Sequence, residues 1–565
     1  MVEHKTRSAS ELHVEKIKDV IDRAKAGDLE PAFSADAIAA LSSLKSKPDT
    51  YGLYLGLVID LERSNKSIRR QDIDAALRSL SQDTDKIEIT LADQLIELVT
   101  GSCTLFFDQE DQAYAAIEKE GHREVWSLHS QTFKDWVSML FYRAVGTTPR
   151  ASTISDAFST LAGIALHDGD RHHVYLRVAA DGSGGYYLDI GDELWRVIHI
   201  TDRGWKILDK SPVMFRRSKA SKAIPIPEAG GQLSDLKALV NVDCKDDLLL
   251  LTALIDGLRP DTAYPVIELI GEEGSGKSTT AENIRRLIDP HSVNLRNAPR
   301  SVEDAFVGAR NNHVVCLNNL SRLSGDLQDA ICNLSTGGGY ASRKLYTNDD
   351  EVAYEAKRQV VLNGINTVAT QQDLISRLVR LECPIFDARR SRLDEKELRG
   401  LFDKHGSRAI GFILDTMVEA LAKLPDIELL EKQRLLDFSK LGAAVGRVMD
   451  CKNGELTFLA RLKASREAAS FQALESTPVV LALVEYLENH GAFAGNYADL
   501  LREIESKIGR SFDAGWPRGP RGLSESMGRA KSSLRQLGWN YTVAGRGKNG
   551  VKVSITQISE ATDIV

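Results

Sequence analysis

Gly271-Glu272-Glu273-Gly274-Ser275-Gly276-Lys277-Ser278 follows the pattern G-x-x-x-x-G-K-[ST]. The apolar run Val266 to Ile270 precedes it, and the helical segment TTAENIRRLI follows. Glycines let a backbone curl until its N–H groups face phosphate oxygens at a helix N-terminus. Lys277 adds a charge for the outer phosphates, and the Ser278 hydroxyl is a ligand type for Mg²⁺. Gly271, Gly274, Ser275, Gly276, Lys277, Ser278 and Thr279 therefore form a candidate ATP site. The competing reading is a ligand-free strand-to-helix turn, and the agreement of strand, loop and helix weighs against it.

A second apolar run, His313 to Leu317, reads as a strand expected to lie beside the first and to end at Asn318-Asn319. In phosphate-loop ATPases such a strand end normally supplies an acid that holds the magnesium water shell. Asn318 has the shape of Asp without its charge, which places hydrolysis in question. It is either a native, weakened ATPase residue or an Asp→Asn trap. A third strand, Gln359 to Leu362, ends at Asn363, where an amide can orient a water or simply cap a loop. Fourteen residues on, Arg377 and then Arg380 could reach a neighbouring subunit's nucleotide, which requires a ring; the alternative is an ordinary ion-paired arginine.

These residues need a scaffold, and the 565-residue chain is long enough for several cores. Residues 1–100 carry apolar residues at helical spacing, and residues 101–230 form an α+β segment. In that segment HHVYLRVA, GYYLDIG, LWRVIHI and GWKIL make an antiparallel meander. Ser221 to Gly231 concentrates Pro and Gly and reads as a linker. Strand-like and helical runs alternate over 231–420, the pattern of an α/β domain with a largely parallel sheet. A helical connector covers 421–475. Residues 476–565 read as helices, a long helix from Leu523 to Leu537 and a Gly-rich hairpin, the order of a winged helix-turn-helix. The fold class expected is multidomain α/β.

Composition narrows the function classes. With 42% hydrophobic and 27% charged residues the chain is globular, and its net charge of −8 excludes a global positive field for DNA or an anionic membrane. Six dispersed cysteines without zinc spacing fit reduced thiols in the cytoplasm, and the absence of long apolar runs fits a soluble protein. Charge is distributed unevenly, however. Between Arg502 and Lys552 eleven Lys/Arg face four acids, a net of +7. Arg529, Lys531 and Arg535 on the long helix, with Arg546 and Lys548 at the hairpin turn, are candidate DNA contacts. Protein contact is the alternative.

Between the second and third core strands lies GGGYASRKLYTNDDEVAYEAK, a candidate hairpin. Arg343, Lys344 and Tyr346 suit a phosphate backbone, whereas Asp349 and Asp350 near the tip repel one. The cluster HDGDRHH lacks a full zinc ligand set and reads as a turn. Asp189 and Asp192 read as strand-end acids rather than a primase centre, so priming is expected from a separate protein.

The order and spacing of GEEGSGKST, VVCLNNLSRL, LSTGGGYASRKLYTNDDE and VVLNGINTVATQQDLISRL resemble the ATPase of phage- and mobile-element-borne primase-helicases. These belong to helicase superfamily 3 within the AAA+ class. Where that family reads Asp-Asn-Leu-Ser, this chain has Asn318-Asn319-Leu320-Ser321. The resemblance implies Lys277 and Ser278 as the nucleotide and Mg²⁺ residues, Asn318 and Asn319 as the strand-end pair, Asn363 as sensor and Arg377 as a trans-acting finger, with Arg380 second. It also implies a homo-oligomeric, hexameric ring that moves along DNA, with a pore hairpin at Arg343 and Lys344. A nucleotide-gated initiator, loader or defence assembly with slow hydrolysis is the other reading.

Overall fold

The computed structural model describes residues 9–80, 90–119, 121–343, 351–386, 393–429, 434–450, 452–475, 477–509, 516–547 and 550–558. The chain divides after Val174 into two compact units.

In the first unit the helices Ala9–Lys25, Ala35–Lys45, Tyr51–Ser64 and Arg70–Leu80 bury one apolar face each, led by Ile17, Leu41, Leu61 and Ile73. Helix Leu91–Thr100 opens with a reciprocal cap between Thr90 and Asp93. It packs with helices Gln131–Val145 and Ala151–His167 on a sheet of Thr104–Phe107, Ala113–Lys119 and His122–Ser127. The HDGDRHH segment supplies that sheet's short edge, Asp170 and Arg171 pairing in parallel with Phe106 and Phe107. Among the described residues no group of three or more His, Cys, Asp or Glu is placed to hold a metal ion.

The second unit opens with the meander, strands Val178–Ala180, Tyr186–Asp189, Val197–Thr201 and Gly204–Leu208, each antiparallel to the next. Its buried face, including Tyr186, Leu188, Ile198 and Ile200, belongs to the same apolar cluster as the central helices. Asp189 is buried and paired with Arg217, and Asp192 binds Arg196, so both are structural acids. The Pro/Gly stretch expected to be a linker is instead a packed strap. The Glu228 N–H donates to the Ser407 carbonyl at 2.9 Å, and a Cβ on Gly411 would lie 1.8 Å from the Glu228 carbonyl oxygen. Prolines forbid helix there, but Ile224 and Pro227 are buried, and that burial fastens the segment.

The central sheet has four parallel strands in the order Val314–Leu320, Gln359–Gly364, Val266–Ile270, Leu378–Glu382. The Val314 strand thus does not lie beside the Val266 strand as expected; the Asn363-bearing strand stands between them. Every residue of Gln359–Gly364 is buried, which suits an interior strand, whereas the Val314 strand has an outer edge. Asn318 and Asn319 fall inside its last residues, where Asn319 takes a left-handed φ of 53° and the pairing register shifts. The strands end flush, Ile270 level with both Gly364 and Glu382.

Strands Gly338–Arg343 and Glu351–Ala356 pair in antiparallel register as the expected hairpin, with Arg343 opposite Glu351. Lys344, Tyr346, Asp349 and Asp350 lie outside the described residues. Helices Glu395–Lys423, Leu436–Met449 and Gly454–Glu475 complete the central cluster. Helix Pro478–His490, strand Phe493–Asn496, helices Tyr497–Lys507 and Pro520–Gln536, and the hairpin Trp539–Gly547/Gly550–Gln557 form a module with its own core around Leu483, Leu500, Met527 and Ile555. A hydrogen bond from the Gln372 side chain to Ser533 Oγ ties that module's third helix to the short helix Gln372–Ile375 of the central sheet.

Candidate functional site

The glycine-rich loop leaves the C-terminal end of the Val266–Ile270 strand and enters helix Lys277–Ile288. Gly274 and Gly276 have φ of 82° and 73°, values that side chains resist, and a Cβ on Gly276 would meet the Phe386 ring at 3.0 Å. Lys277 Nζ donates to the carbonyls of Gly271 at 2.8 Å and Glu272 at 2.7 Å, which centres the ammonium over the loop. Ser275 is buried and Thr279 half-buried. The N–H groups of a helix's first turn and a fixed cation form a cradle chemically suited to phosphate.

Asn318 and Asn363 meet Ser278 beside that cradle. Ser278 Oγ donates to Asn318 Oδ1 at 2.9 Å, and Asn363 Nδ2 donates to the same oxygen at 2.6 Å and lies 3.4 Å from Ser278 Oγ. Asn363 Oδ1 accepts the Asn319 backbone N–H at 3.0 Å. Three residues from two strand ends and a helix start, separated by up to 85 positions, converge on one oxygen. Asn319 contributes through its backbone, and its left-handed φ aims that N–H inward, a conformation Asn tolerates better than most residues.

Of the two expected magnesium residues, Ser278 fits and Asn318 does not. Ser278 gives its proton to Asn318 and keeps lone pairs, but the Asn318 oxygen is already taken by two donors. Nearby carboxylates do not replace it. Glu268 is fully buried in the Val266 strand, accepting from Thr367 Oγ1 at 2.6 Å and the Val368 N–H at 2.9 Å, and burial pushes its carboxyl pKa up. Glu272 and Glu273 are exposed on the loop.

Arg377 stands at the other end of the sheet. Its carbonyl accepts the Val266 N–H, so it lies about 17 Å along the strand from Gly271, where the loop begins. Its guanidinium pairs with the Asp373 carboxylate, which also pairs with Arg434, and donates to the Asp373 carbonyl at 2.8 Å. Arg377 is therefore out of reach of its own subunit's cradle. Arg380, the second choice, is corrected: it is 8% exposed, inside the sheet opposite Glu268, with its N–H bonded to Ser465 Oγ. Strand alternation turns it inward.

On helix Pro520–Gln536 the residues Leu523, Met527, Ala530 and Leu534 face the core, and Arg529, Lys531 and Arg535 are exposed. At about 100° per residue, Arg529 and Lys531 flank the outer face from opposite sides. Glu525 lies on that outer face, and its carbonyl accepts from Arg529 Nε at 3.3 Å. Arg546 sits in the hairpin opposite Val551, and Lys548 lies outside the described residues.

Asn241 was not foreseen. Its Nδ2 donates to the carbonyls of Ser275 at 2.8 Å and Pro384 at 2.6 Å, and its N–H donates to Thr280 Oγ1, bracing the loop from outside. A lone Asn in VNVDCKDD, thirty residues before the loop, carries no periodicity or motif that marks it. Cys383 packs against Gly271, its thiol pushed up to about 12 by burial.

Residues 233–467 match the family described as actinomycete integrative conjugative element replication protein, and residues 479–563 match the AICE RepA C-terminal domain. No curated protein matches the chain. Among solved structures, the NrS-1 C-terminal region is 14% identical over 84% of this chain and 100% of its own, with a TM-score of 0.36. A JCV helicase structure is 13% identical over 41% of this chain and 70% of its own, with a TM-score of 0.19. Across both its central sheet and its C-terminal module, this chain is similar to a replication protein of a mobile element.

Proposed function

We propose that the chain is an ATP-binding, DNA-engaging replication protein that assembles into a ring, with nucleotide held at the seam between neighbouring subunits. One observation carries the reading: the Gly271–Ser278 loop, Asn318 and Asn363 meet at the flush C-terminal ends of three adjacent parallel strands. In open α/β sheets ligands bind beyond those ends. Lys277 and the loop N–H groups take the phosphates, and Asn363 senses the outermost one. The four-strand core is an AAA+-type ATPase, and the C-terminal module is a winged helix that meets DNA through Arg529, Lys531, Arg535 and the Arg546–Lys548 turn.

Arg377 supports the ring. Far from its own loop, it serves as a finger only for a neighbour's nucleotide, after leaving Asp373. Because the strand-end acid is an amide, turnover is slow, and nucleotide governs assembly on DNA more than it drives rapid translocation. Light scattering of the full chain with and without ATP tests this. A nucleotide-dependent rise to a multi-subunit mass is expected; a particle that stays monomeric at saturating ATP removes the seam and leaves a solitary nucleotide binder.

A further inference from the structure

We infer that the nucleotide site binds phosphate without requiring a divalent cation, because the Asn318 atom not engaged by Ser278 and Asn363 is an N–H₂ donor where a metal-bound water needs an acceptor. This rests on reading the Gly271–Ser278 loop as a nucleotide site.

The orientation follows from a chain of donors that begins at the backbone. The Asn319 N–H can only donate, so the Asn363 atom facing it at 3.0 Å is Oδ1. The Asn363 atom turned toward Asn318 is consequently Nδ2, another obligate donor, at 2.6 Å. The Asn318 atom receiving it must be Oδ1, which also accepts from Ser278 Oγ at 2.9 Å. Both amide flips are thereby fixed by one main-chain group. The remaining Asn318 atom is Nδ2, on a half-buried residue whose other amide atom holds Ser278.

An aspartate here would present a second oxygen, an acceptor for waters of a bound cation. Asparagine presents an N–H₂ group, which cannot accept from those waters and can donate to an anionic phosphate oxygen. Neighbouring groups do not restore the missing acceptor. Glu268 is buried and occupied by Thr367 and Val368, and among the described residues no group of three or more His, Cys, Asp or Glu is placed to hold a metal ion. The site is a phosphate cradle built of Lys277, loop N–H groups and one amide donor, in which the cation's neutralising role is diminished.

Calorimetric titration of the full chain with ATP, in excess EDTA and in excess Mg²⁺, tests this on the wild type, Asn318→Asp and Asn318→Ala. Circular dichroism confirms that each is folded. The wild-type Kd is expected to agree within about threefold between the two conditions, while Asn318→Asp binds about tenfold or more tightly with Mg²⁺ than with EDTA, since its second oxygen repels bare phosphate. Asn318→Ala should bind about tenfold more weakly than wild type in EDTA, having lost a charge-assisted hydrogen bond. A wild type that depends on Mg²⁺ as strongly as Asn318→Asp overturns the proposal, as does an Asn318→Ala variant that binds like wild type in EDTA. A wild type that binds ATP in neither condition is a different result: it removes the nucleotide site itself, and the proposal with it.

Discussion

Lys277 sits over the glycine-rich loop, its ammonium held there by the carbonyls of Gly271 and Glu272. Lys277→Ala should weaken ATP binding about a hundredfold, read by titration calorimetry, because a charge-assisted contact to the outer phosphates disappears while the fold does not depend on it. Unaltered affinity would move the nucleotide elsewhere. Asn363→Ala strips the Asn319 N–H of its acceptor and removes one of the two donors to the Asn318 oxygen. It should cost about 1–3 kcal/mol of stability in a chemical melt, since a buried hydrogen-bonded side chain is replaced by unpaired groups. At this scale the sequence was legible wherever a residue belonged to a contiguous pattern. The loop from Gly271 to Ser278 was. Asn241 was not, because its role comes from two carbonyls brought to it by remote segments. Arg380 illustrates the opposite error: one strand residue's inward turn decides its accessibility, and the motif DLISRLVR does not display it.

Elements explain which expectations met the structure and which did not. The meander and the hairpin formed where alternation and turn residues placed them, because those signals are local. Strand order is non-local, and the Asn363 strand inserts between two strands that precede it in sequence. The strap at Ser221–Gly231 looked like a linker by composition, yet Gly411 lets it lie directly on a helix. Gly411→Ala should therefore destabilise the second unit by about 1–3 kcal/mol, measurable as a lowered Tm, since a methyl group would overlap the Glu228 carbonyl. Asp256, at the end of helix Asp247–Asp256, is fully buried, and that burial raises its pKa to about 7 against the pull of Arg259. The folded state thus holds a proton that the unfolded chain releases near pH 4, so this group's contribution to stability falls as pH rises from about 4 to 7. Asp256→Asn should gain relative to wild type across that window, seen as a Tm difference that grows with pH. A difference independent of pH would mean that Arg259 already holds the carboxylate charged.

For the whole molecule, a net charge of −8 conceals a C-terminal module whose exposed helix face and hairpin carry the opposite sign. Reversing Arg529, Arg535 and Arg546 to Glu should weaken DNA binding about tenfold or more at low salt and flatten its salt dependence, because each phosphate contact releases counterions. Fluorescence anisotropy on duplex and single-stranded DNA checks this, and unchanged affinity would transfer the DNA surface to another face. The described residues of the first unit include apolar clusters around Leu41 and around Phe133, and no contiguous motif there announced a chemistry. One side-chain bridge has a mechanical implication. Gln372 holds Ser533, and the next residue, Asp373, grips Arg377. Under the proposed function, a polynucleotide pulling on the helix that bears Ser533 would load Gln372, one peptide bond from the Asp373 clasp on the Arg377 guanidinium.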